Sequence, residues 1–426
     1  MPAVPAVTGR RRVVVVGAGF AGLAVVRGLA GVPVDVTLVD ANNFHTFQAL
    51  LYQVATAGLN PADVAFPVRG IFHGRTDVTV RRGRVVAVDW DAGVVVLDGG
   101  ATLAFDHLVV ASGATTNWMG VAGAERHAFP LYSLADAVRL RNHLLSRFEA
   151  ADADPEAPEG CTTVVVIGAG PTGVELSGAL VELRDSVLRK DFPALDLDEA
   201  RVVLVEARDA VLPPFAARSQ RHALATLEAR GVEVRLAERV AEVAPDRVVL
   251  ASGEAIPAAT VVWAAGVRAG PLGEALGAPL GPGGRVVVEA DLSLPGRPDA
   301  FVAGDLAAAR DTAGDLLPQM APVAIQAGEH VARQVAARVA GRPTEPFRYR
   351  DEGMMATIGR RAGVAQLPRG LQLTGTLGWL AWLRLHLLRV IGFRNRTSVL
   401  VNWAWNYLTY DRGPRLILEQ PVEPRP

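Results

Sequence analysis

The sequence predicts an α/β chain built around two parallel-sheet units, on three observations. Residues 11–26, RRVVVVGAGFAGLAVV, and residues 162–176, TTVVVIGAGPTGVEL, are each a β-branched run breaking into a glycine-rich turn and then a helical pattern. Strand-like and helix-like runs alternate along most of the chain, as in parallel sheets covered on both faces. From residue 371 onward the chain is instead rich in leucine and tryptophan. The fold class is therefore α/β: two Rossmann-like dinucleotide-binding domains followed by a C-terminal amphipathic helical region.

The elements follow in order. Residues 13–16 are a buried strand, a helix runs from about Ala21 to Leu29, and VDVTLV at 34–39 is a second strand ending at Asp40. A loop-rich section covers about 41–75, followed by strand-like runs at 78–89 and 93–97 and a buried strand in LVVASGAT at 108–115. ADADPEAPEG at 151–160 is acidic, proline-rich and the best linker. The plan restarts at 164 and continues with RVVLVEA at 201–207, while VEVRL at 232–236 and RVVL at 247–250 fit a small β insert. TVVWAAG at 260–266 mirrors LVVASGA, AFVAGDLAAA at 300–309 is a strand ending in Gly-Asp, and a helix covers about 320–340. The expected domains are 11–115 and 286–345 for the first dinucleotide, 161–285 for the second, 116–160 as connection and linker, and 346–426 as the C-terminal region.

Composition narrows the chemistry. At 426 residues, two or three domains are the natural expectation. A formal net charge of -1 offers no basic face for nucleic acid. The single cysteine, Cys161, excludes an internal disulfide, a four-thiolate iron–sulfur cluster and a CxxC redox pair. No metal site is expected, and a reducing compartment fits. MPAVPAVTGRRR lacks the apolar core of a secretory leader, and no run of 18 or more uncharged apolar residues reads as a spanning helix.

The two turns carry the functional signal. In GAGFAG, Gly17 permits the tight turn, Gly19 admits a pyrophosphate to the backbone, and Gly22 lets helix pack on strand. The helix N-terminus adds N–H donors. Asp40, twenty-one residues beyond Gly19, suits a ribose hydroxyl. Gly168, Gly170 and Gly173 repeat the device, with Glu206 as the acid thirty-six residues beyond Gly170. An acid there repels a 2′-phosphate and favours NADH over NADPH, although Arg208 stands close by. Two nicotinamides would have no hydride chemistry between them, whereas one nicotinamide and one flavin form a working pair. The expectation is FAD held at the first turn and NADH accepted at the second. Asp305 at a strand end suits the ribityl and pyrimidine parts of a flavin, or serves as a helix N-cap.

These residues resemble the two-dinucleotide flavoprotein oxidoreductases, and more specifically the type II NADH dehydrogenases, single-subunit NADH:quinone oxidoreductases. The resemblance spans nearly the whole chain. It rests on LVDANNFHTFQALLYQVATAGLNPADVA (38–65), GAGPTGVELSGALVEL (168–183), MATIGRRAGVAQL (355–367) and GFRNRTSVLVNWAWNYLTYDRGPRLI (392–417). It implies FAD contacts at Gly17, Gly19, Phe20, Ala21, Gly22, Asp40, Gln53, Val86, Gly113, Gly304 and Asp305. NADH contacts are implied at Gly168, Gly170, Gly173, Glu206 and Gly266. The glutamate after the second glycine turn falls on Glu175, which would position NADH or relay a proton; the plain alternative is an exposed first-turn acid. The usual quinone motif AQxAxQ falls on Ala321, Pro322 and Gln326, with proline in place of the first glutamine. Ala49 likewise stands where proline is usual. The implied activity is two-electron transfer from NADH through FAD to menaquinone or ubiquinone, without proton pumping.

A lipid-soluble quinone implies a peripheral enzyme on the cytoplasmic face of the cell membrane. Trp379, Trp382, Trp403 and Trp405, with Arg384, Arg389, Arg394 and Arg396, suit a helix lying in the membrane interface, with homodimer contact as a further role. Two rivals stand beside this reading. One is a soluble NADH-dependent reductase of a one-electron carrier such as a ferredoxin or rubredoxin. The other is a flavin redox sensor with little turnover. The relatives that carry electrons on paired thiols are excluded by the lone cysteine.

Overall fold

The computed structural model describes residues 9–409 and 412–418. Residues 1–8, part of the stretch read as no secretory leader, lie outside the described residues, as do Tyr410 and Asp411 of the last motif. The chain forms two compact units. The first contains the described residues up to His45, Phe66–Thr115 and Val267–Asp351; the second contains Thr46–Ala65, Thr116–Gly266 and the described residues from Glu352 on.

The first unit is organised by a six-stranded sheet. Its order is Ser293–Leu294, Arg297–Val302, His107–Val110, Arg11–Val16, Val34–Asp40, Val78–Arg82, parallel except for the first pair. Val13–Val16 are buried because parallel strands are covered on both faces, which is why the run is unbroken valine rather than alternating. Strand order reverses beside Arg11–Val16, and the crevice at such a switch point is where doubly wound sheets bind ligands. Val85–Asp89, Val94–Leu97 and Thr102–Ala104 form a separate antiparallel sheet.

Two helices of this unit cross almost backbone to backbone. Phe20–Gly28 follows the glycine turn, and Ala321–Val339 packs on it. A Cβ on Gly328 would strike the Ala21 carbonyl, and one on Gly28 would lie 2.6 Å from Ala332 Cβ. Pro322 sits in the first turn of the second helix, where a missing N–H costs nothing.

The second unit repeats the plan. Its sheet runs Phe129–Pro130, Thr260–Trp263, Val164–Ile167, Val202–Val205, Val232–Arg235, all parallel. Residues 232–235 thus belong to the main sheet, not to the insert expected for them. Val232 and Val234 continue the ladder from Val202 and Leu204. The insert is Val240–Val243, Arg247–Leu250 and Ala255–Pro257, antiparallel.

Two further expectations change. The linker at 151–160 is partly helix, because Leu134–Ala153 runs through its first three residues. A capping box between Ser133 and Asp136 starts that helix, and Leu140, Leu144, Leu145 and Phe148 bury one face. The C-terminal region opens with a sheet of Met354–Gly359, Ala362–Gln366 and Gln372–Thr374 before its helices Gly375–Arg389 and Phe393–Thr409.

The helix crossing of the first unit generates a test. Alanine at 328 gains about 1 kcal/mol in helix propensity, but overpacking costs about 1–3 kcal/mol, and a backbone carbonyl cannot move aside. Gly328→Ala should therefore lower the thermal midpoint; an unchanged or raised midpoint would show that the helices can separate freely.

Candidate functional sites

The first glycine turn is held by two features. Gly17 has φ +103°, the left-handed side of backbone space, and its N–H donates to Val39 O at 2.7 Å. A Cβ on Gly22 would collide with Gly17 O, so helix and turn close on each other only with glycine there. Asp40 then locks the turn from the end of the second strand. Its Oδ2 accepts from Ala18 N at 2.7 Å and its Oδ1 from Asn42 N at 2.7 Å. Burial raises the Asp40 pKa, opposed by these two amides and by the charge of Arg84.

The second turn repeats this bond for bond. Gly168 has φ +100° and donates to Val205 O at 2.8 Å, and a Cβ on Gly173 would collide with Gly168 O. Glu206 Oε2 accepts from Ala169 N at 2.7 Å and Oε1 from Arg208 N at 2.9 Å. A nearby helix N-terminus, a backbone open at Gly19 or Gly170, and a carboxylate with unused lone pairs suit a pyrophosphate and a ribose. No side chain would meet a Cβ within 4 Å at either Gly19 or Gly170, so both turns are open where a phosphate must approach.

The first unit gathers more of the expected residues. Gly304, at φ +73°, fits between the two crossing helices: a Cβ there would lie 3.1 Å from Ala21 Cβ and 3.5 Å from Ala324 Cβ. Phe20, Ala21, Gly304, Asp305, Ala321 and Pro322 therefore cluster around the starts of those helices. The Asp305 pKa is pushed up to about 6 by burial, partly offset by the Arg285 guanidinium. Arg285, which the sequence reading missed, is itself buried and donates to Ala307 O at 2.8 Å and Leu317 O at 2.7 Å. Gly113 has φ +73° and accepts from Gly270 N. Val86 is exposed on the small antiparallel sheet.

Gln326 is occupied by the protein itself. Its Nε2 donates to Arg350 O and its Oε1 accepts from Arg350 N, both at 2.9 Å. The amide thus clamps the backbone at the end of the segment that follows its helix.

In the second unit, Gly266 has φ +130° and accepts from Asn117 N. Glu175 is not the exposed first-turn acid of the plain reading; it is 7% exposed. The reason is the C-terminal sheet, which packs on helix Pro171–Leu183 so closely that a Cβ on Gly178 would strike Ile358 O. Glu175 Oε1 accepts from Thr357 N at 3.2 Å and from Trp382 Nε1 at 2.9 Å. Burial pushes its pKa up to about 8 against those two donors. At neutral pH it is mainly a carboxylic acid, a group able to give up or take a proton.

The tryptophans divide. Trp382 and Trp403 are buried, with Trp403 Nε1 donating to Gln53 Oε1 at 2.7 Å and Gln53 Nε2 to the Tyr52 hydroxyl at 2.8 Å. Trp379 is half-buried against Tyr407, and only Trp405 of the four is exposed. An interfacial belt of four tryptophans is thus replaced by a core pair. The outward faces are aliphatic instead: Leu377, Leu380, Leu385 and Leu388 on one helix, and Phe393, Leu400, Val401, Trp405 and Leu408 on the other. Thr357, Trp382 and the Gln53–Trp403 bond went unread because tertiary packing alone creates them. The turn at GRRAG between two short apolar runs was the available signal for the hairpin that carries Thr357.

Known proteins share this arrangement. Residues 11–328 match the family model described as pyridine nucleotide-disulphide oxidoreductase. The chain is 37% identical to the type II NADH:quinone oxidoreductase Ndh of Mycobacterium tuberculosis, over 96% of this chain and 91% of that one. It is 32% identical to a type II NADH:quinone oxidoreductase of Staphylococcus aureus, over 84% and 90% respectively. In fold it matches NDH2 from Plasmodium falciparum, solved in complex with NADH, with a TM-score of 0.85 at 15% identity over 96% of this chain and all of that one.

Burial of Glu175 makes a linkage prediction. Its folded pKa lies above the ordinary glutamate value, so its contribution to stability is fully present below the unfolded pKa and is lost as pH rises through about 8. Glu175→Gln removes that loss. The difference in thermal midpoint, variant minus wild type, should grow from pH 5 to pH 9; a difference that is flat across this range would place the charge in a solvated setting.

Proposed function

The chain belongs to the type II NADH:quinone oxidoreductases, within the pyridine nucleotide-disulphide oxidoreductase family, and on that premise we propose a division of labour between its two units. It is an FAD-dependent oxidoreductase that takes two electrons from NADH and delivers them to a quinone. The first unit holds FAD, and the second accepts NADH. The observation that carries this division is the duplicated turn, each copy closed by its own carboxylate, in a chain with a single, buried, free cysteine.

Bound FAD supplies the hydride chemistry between nicotinamide and quinone. The protein's own residues bind and orient. Gly17, Gly19, Phe20, Ala21 and Gly22 cradle the flavin's pyrophosphate, Asp40 its ribose, and Val86, Gly113, Gly304 and Asp305 the remainder; Gln53, expected among them, belongs to the second unit, where Tyr52 and Trp403 engage its amide. Gly168, Gly170, Gly173 and Gly266 receive NADH, and Glu206 accepts the ribose hydroxyls while repelling a 2′-phosphate. Glu175 positions the nicotinamide or exchanges a proton. Ala321, Pro322 and Gln326 form the quinone side, Gln326 acting by holding the Arg350 backbone in place.

We further place the enzyme at the cytoplasmic face of the cell membrane as a peripheral protein. No helix among the described residues is long and apolar enough to cross a membrane. The exposed positions 393, 400, 401, 405 and 408 recur at helical spacing and form an apolar stripe, beside Arg394 and Arg396. Such a stripe facing outward fits the headgroup boundary, which supplies both the docking surface and access to a lipid-soluble quinone. A second copy of the chain is the alternative occupant of part of this face.

Two experiments follow. The yellow protein is reduced anaerobically with one equivalent of NADH and mixed with a menaquinone analogue while flavin absorbance is followed. Reoxidation within seconds, with NADPH the poorer reductant, is the expected result; flavin that stays reduced would point to a protein acceptor or a sensing role. For the membrane, Leu400→Glu/Leu408→Glu should lose most of its cosedimentation with anionic vesicles while NADH still reduces the flavin. Unchanged cosedimentation would move the docking surface elsewhere.

A further inference from the structure

Among the described residues no cation is bonded to the buried Glu175. Two turns further along the same helix, Glu182 receives Arg230 at 2.9 Å and Arg412 at 3.4 Å, so those charges are already engaged. Trp382 bonds Glu175, Tyr52 lies within electrostatic reach of it, and His386 stacks on the far partner of that bond, the Trp382 ring. The Tyr52 hydroxyl is held protonated by burial, and more so once Glu175 ionises. His386 is neutral, its pKa pushed down to about 4 by burial, and its Nδ1 sits 2.8 Å from the Trp382 carbonyl. His222, on the helix Ala217–Ala229, is also shifted down by burial and receives Gly375 N.

Trp382 is 1% exposed and fixed on every side. Its ring stacks on His386 at 4.0 Å and 20°, meets Tyr52 edge-on at 6.3 Å, and packs against Trp403 at 5.8 Å. So confined, the indole has one orientation in which to present its N–H, and that N–H donates to Glu175 Oε1. Thr357 N donates to the same oxygen. An oxygen that already accepts two N–H groups is a poor place for a hydroxyl proton, which leaves Oε2 to carry it.

We propose that Trp382 is a positioning residue for Glu175: with the Thr357 amide it holds Oε1, so that the proton of the carboxyl resides on and exchanges through Oε2. The inference rests on the reading of Glu175 as a proton-exchanging or nicotinamide-positioning acid. It makes the C-terminal helix Gly375–Arg389 part of the apparatus that tunes the nucleotide-binding unit, beyond any role of its leucines on the surface.

Trp382→Phe keeps an aromatic ring over His386 and removes the donor. Because the lost bond favoured the carboxylate, the apparent pKa should move up from about 8, by about one pH unit for a bond to a charged group. Two readouts apply: the pH dependence of flavin reoxidation by the menaquinone analogue, and, without turnover, the pH dependence of the thermal midpoint. Glu175→Gln is the control that identifies the titrating group, and W382F on the E175Q background should produce no further shift.

The outcomes separate. A limb abolished by E175Q and displaced upward by W382F supports the proposal. A limb abolished by E175Q but unmoved in W382F, or a rate lowered equally at every pH, reduces Trp382 to packing and leaves the reading of Glu175 standing. A limb that survives E175Q removes that reading and the proposal together. Where W382F does not fold, Trp382→Met repeats the test, since methionine fills an irregular volume without offering a donor.

Discussion

The bond on which both units depend is the one between a strand-end carboxylate and the amide of the second residue of the glycine turn. It is 2.7 Å long in each unit, from Ala18 to Asp40 and from Ala169 to Glu206. Its effect is geometric. It ties the end of the second strand to the turn leaving the first, at the place where strand order reverses. The second oxygen of each acid caps the backbone two residues beyond the acid itself. Glutamate is one methylene longer than aspartate, yet the bond is conserved to the same length, so the backbone of the second unit accommodates the extra reach. A carboxylate so used still has lone pairs for a ribose, and its position is set before any ligand arrives.

Upon this shared frame each unit adds a different acid whose pKa burial raises, Asp305 half-buried and Glu175 buried. Asp305 has Arg285 within electrostatic reach and stays near 6; Glu175 has only neutral donors and rises to about 8. The two carboxyls therefore sit on opposite sides of neutrality in what they carry, one mainly charged and one mainly protonated. The difference has two sources, since Glu175 is the more deeply buried of the two and Asp305 alone has a cation within electrostatic reach. Arginine partly offsets the desolvation of the charge in the first unit, and an indole and an amide do so in the second.

How much of this was legible in the sequence follows from what makes each feature. The glycine turns were legible because sterics act locally: no other residue fits against the Gly17 or Gly168 carbonyl, so the pattern must be written in the chain. Asp40 and Glu206 were legible because they end hydrophobic runs. The ladder position of 232–235 was not, since short valine runs read alike in an insert and in a main sheet. The buried pair Trp382 and Trp403 was misjudged for a related reason. Tryptophan among leucines and arginines matches an interfacial helix by composition, and composition does not record that Glu175 and Gln53 offer acceptors for the two indoles.

That misjudgement also explains the shape of the C-terminal helix Phe393–Thr409. Four of its polar residues, Asn395, Ser398, Asn402 and Asn406, bond to the elements it packs on, while Arg394, Arg396 and Thr397 are exposed. Asn395 donates to the carbonyls of Ala62, Asp63 and Ala65; Ser398 and Asn402 donate to the Asp63 carboxylate; Asn406 donates to Gly58 O. These bonds share the inward face with the buried side chains of Val399 and Trp403. Phe393, Leu400, Val401, Trp405 and Leu408 are left on the outside, more apolar surface than a helix facing water usually carries. Two conditions favour such a helix: its inward polar groups are partnered, and its outward apolar patch meets an apolar surface. The first condition is met by named bonds within this unit, and the second is the physical reason to place that face against lipid.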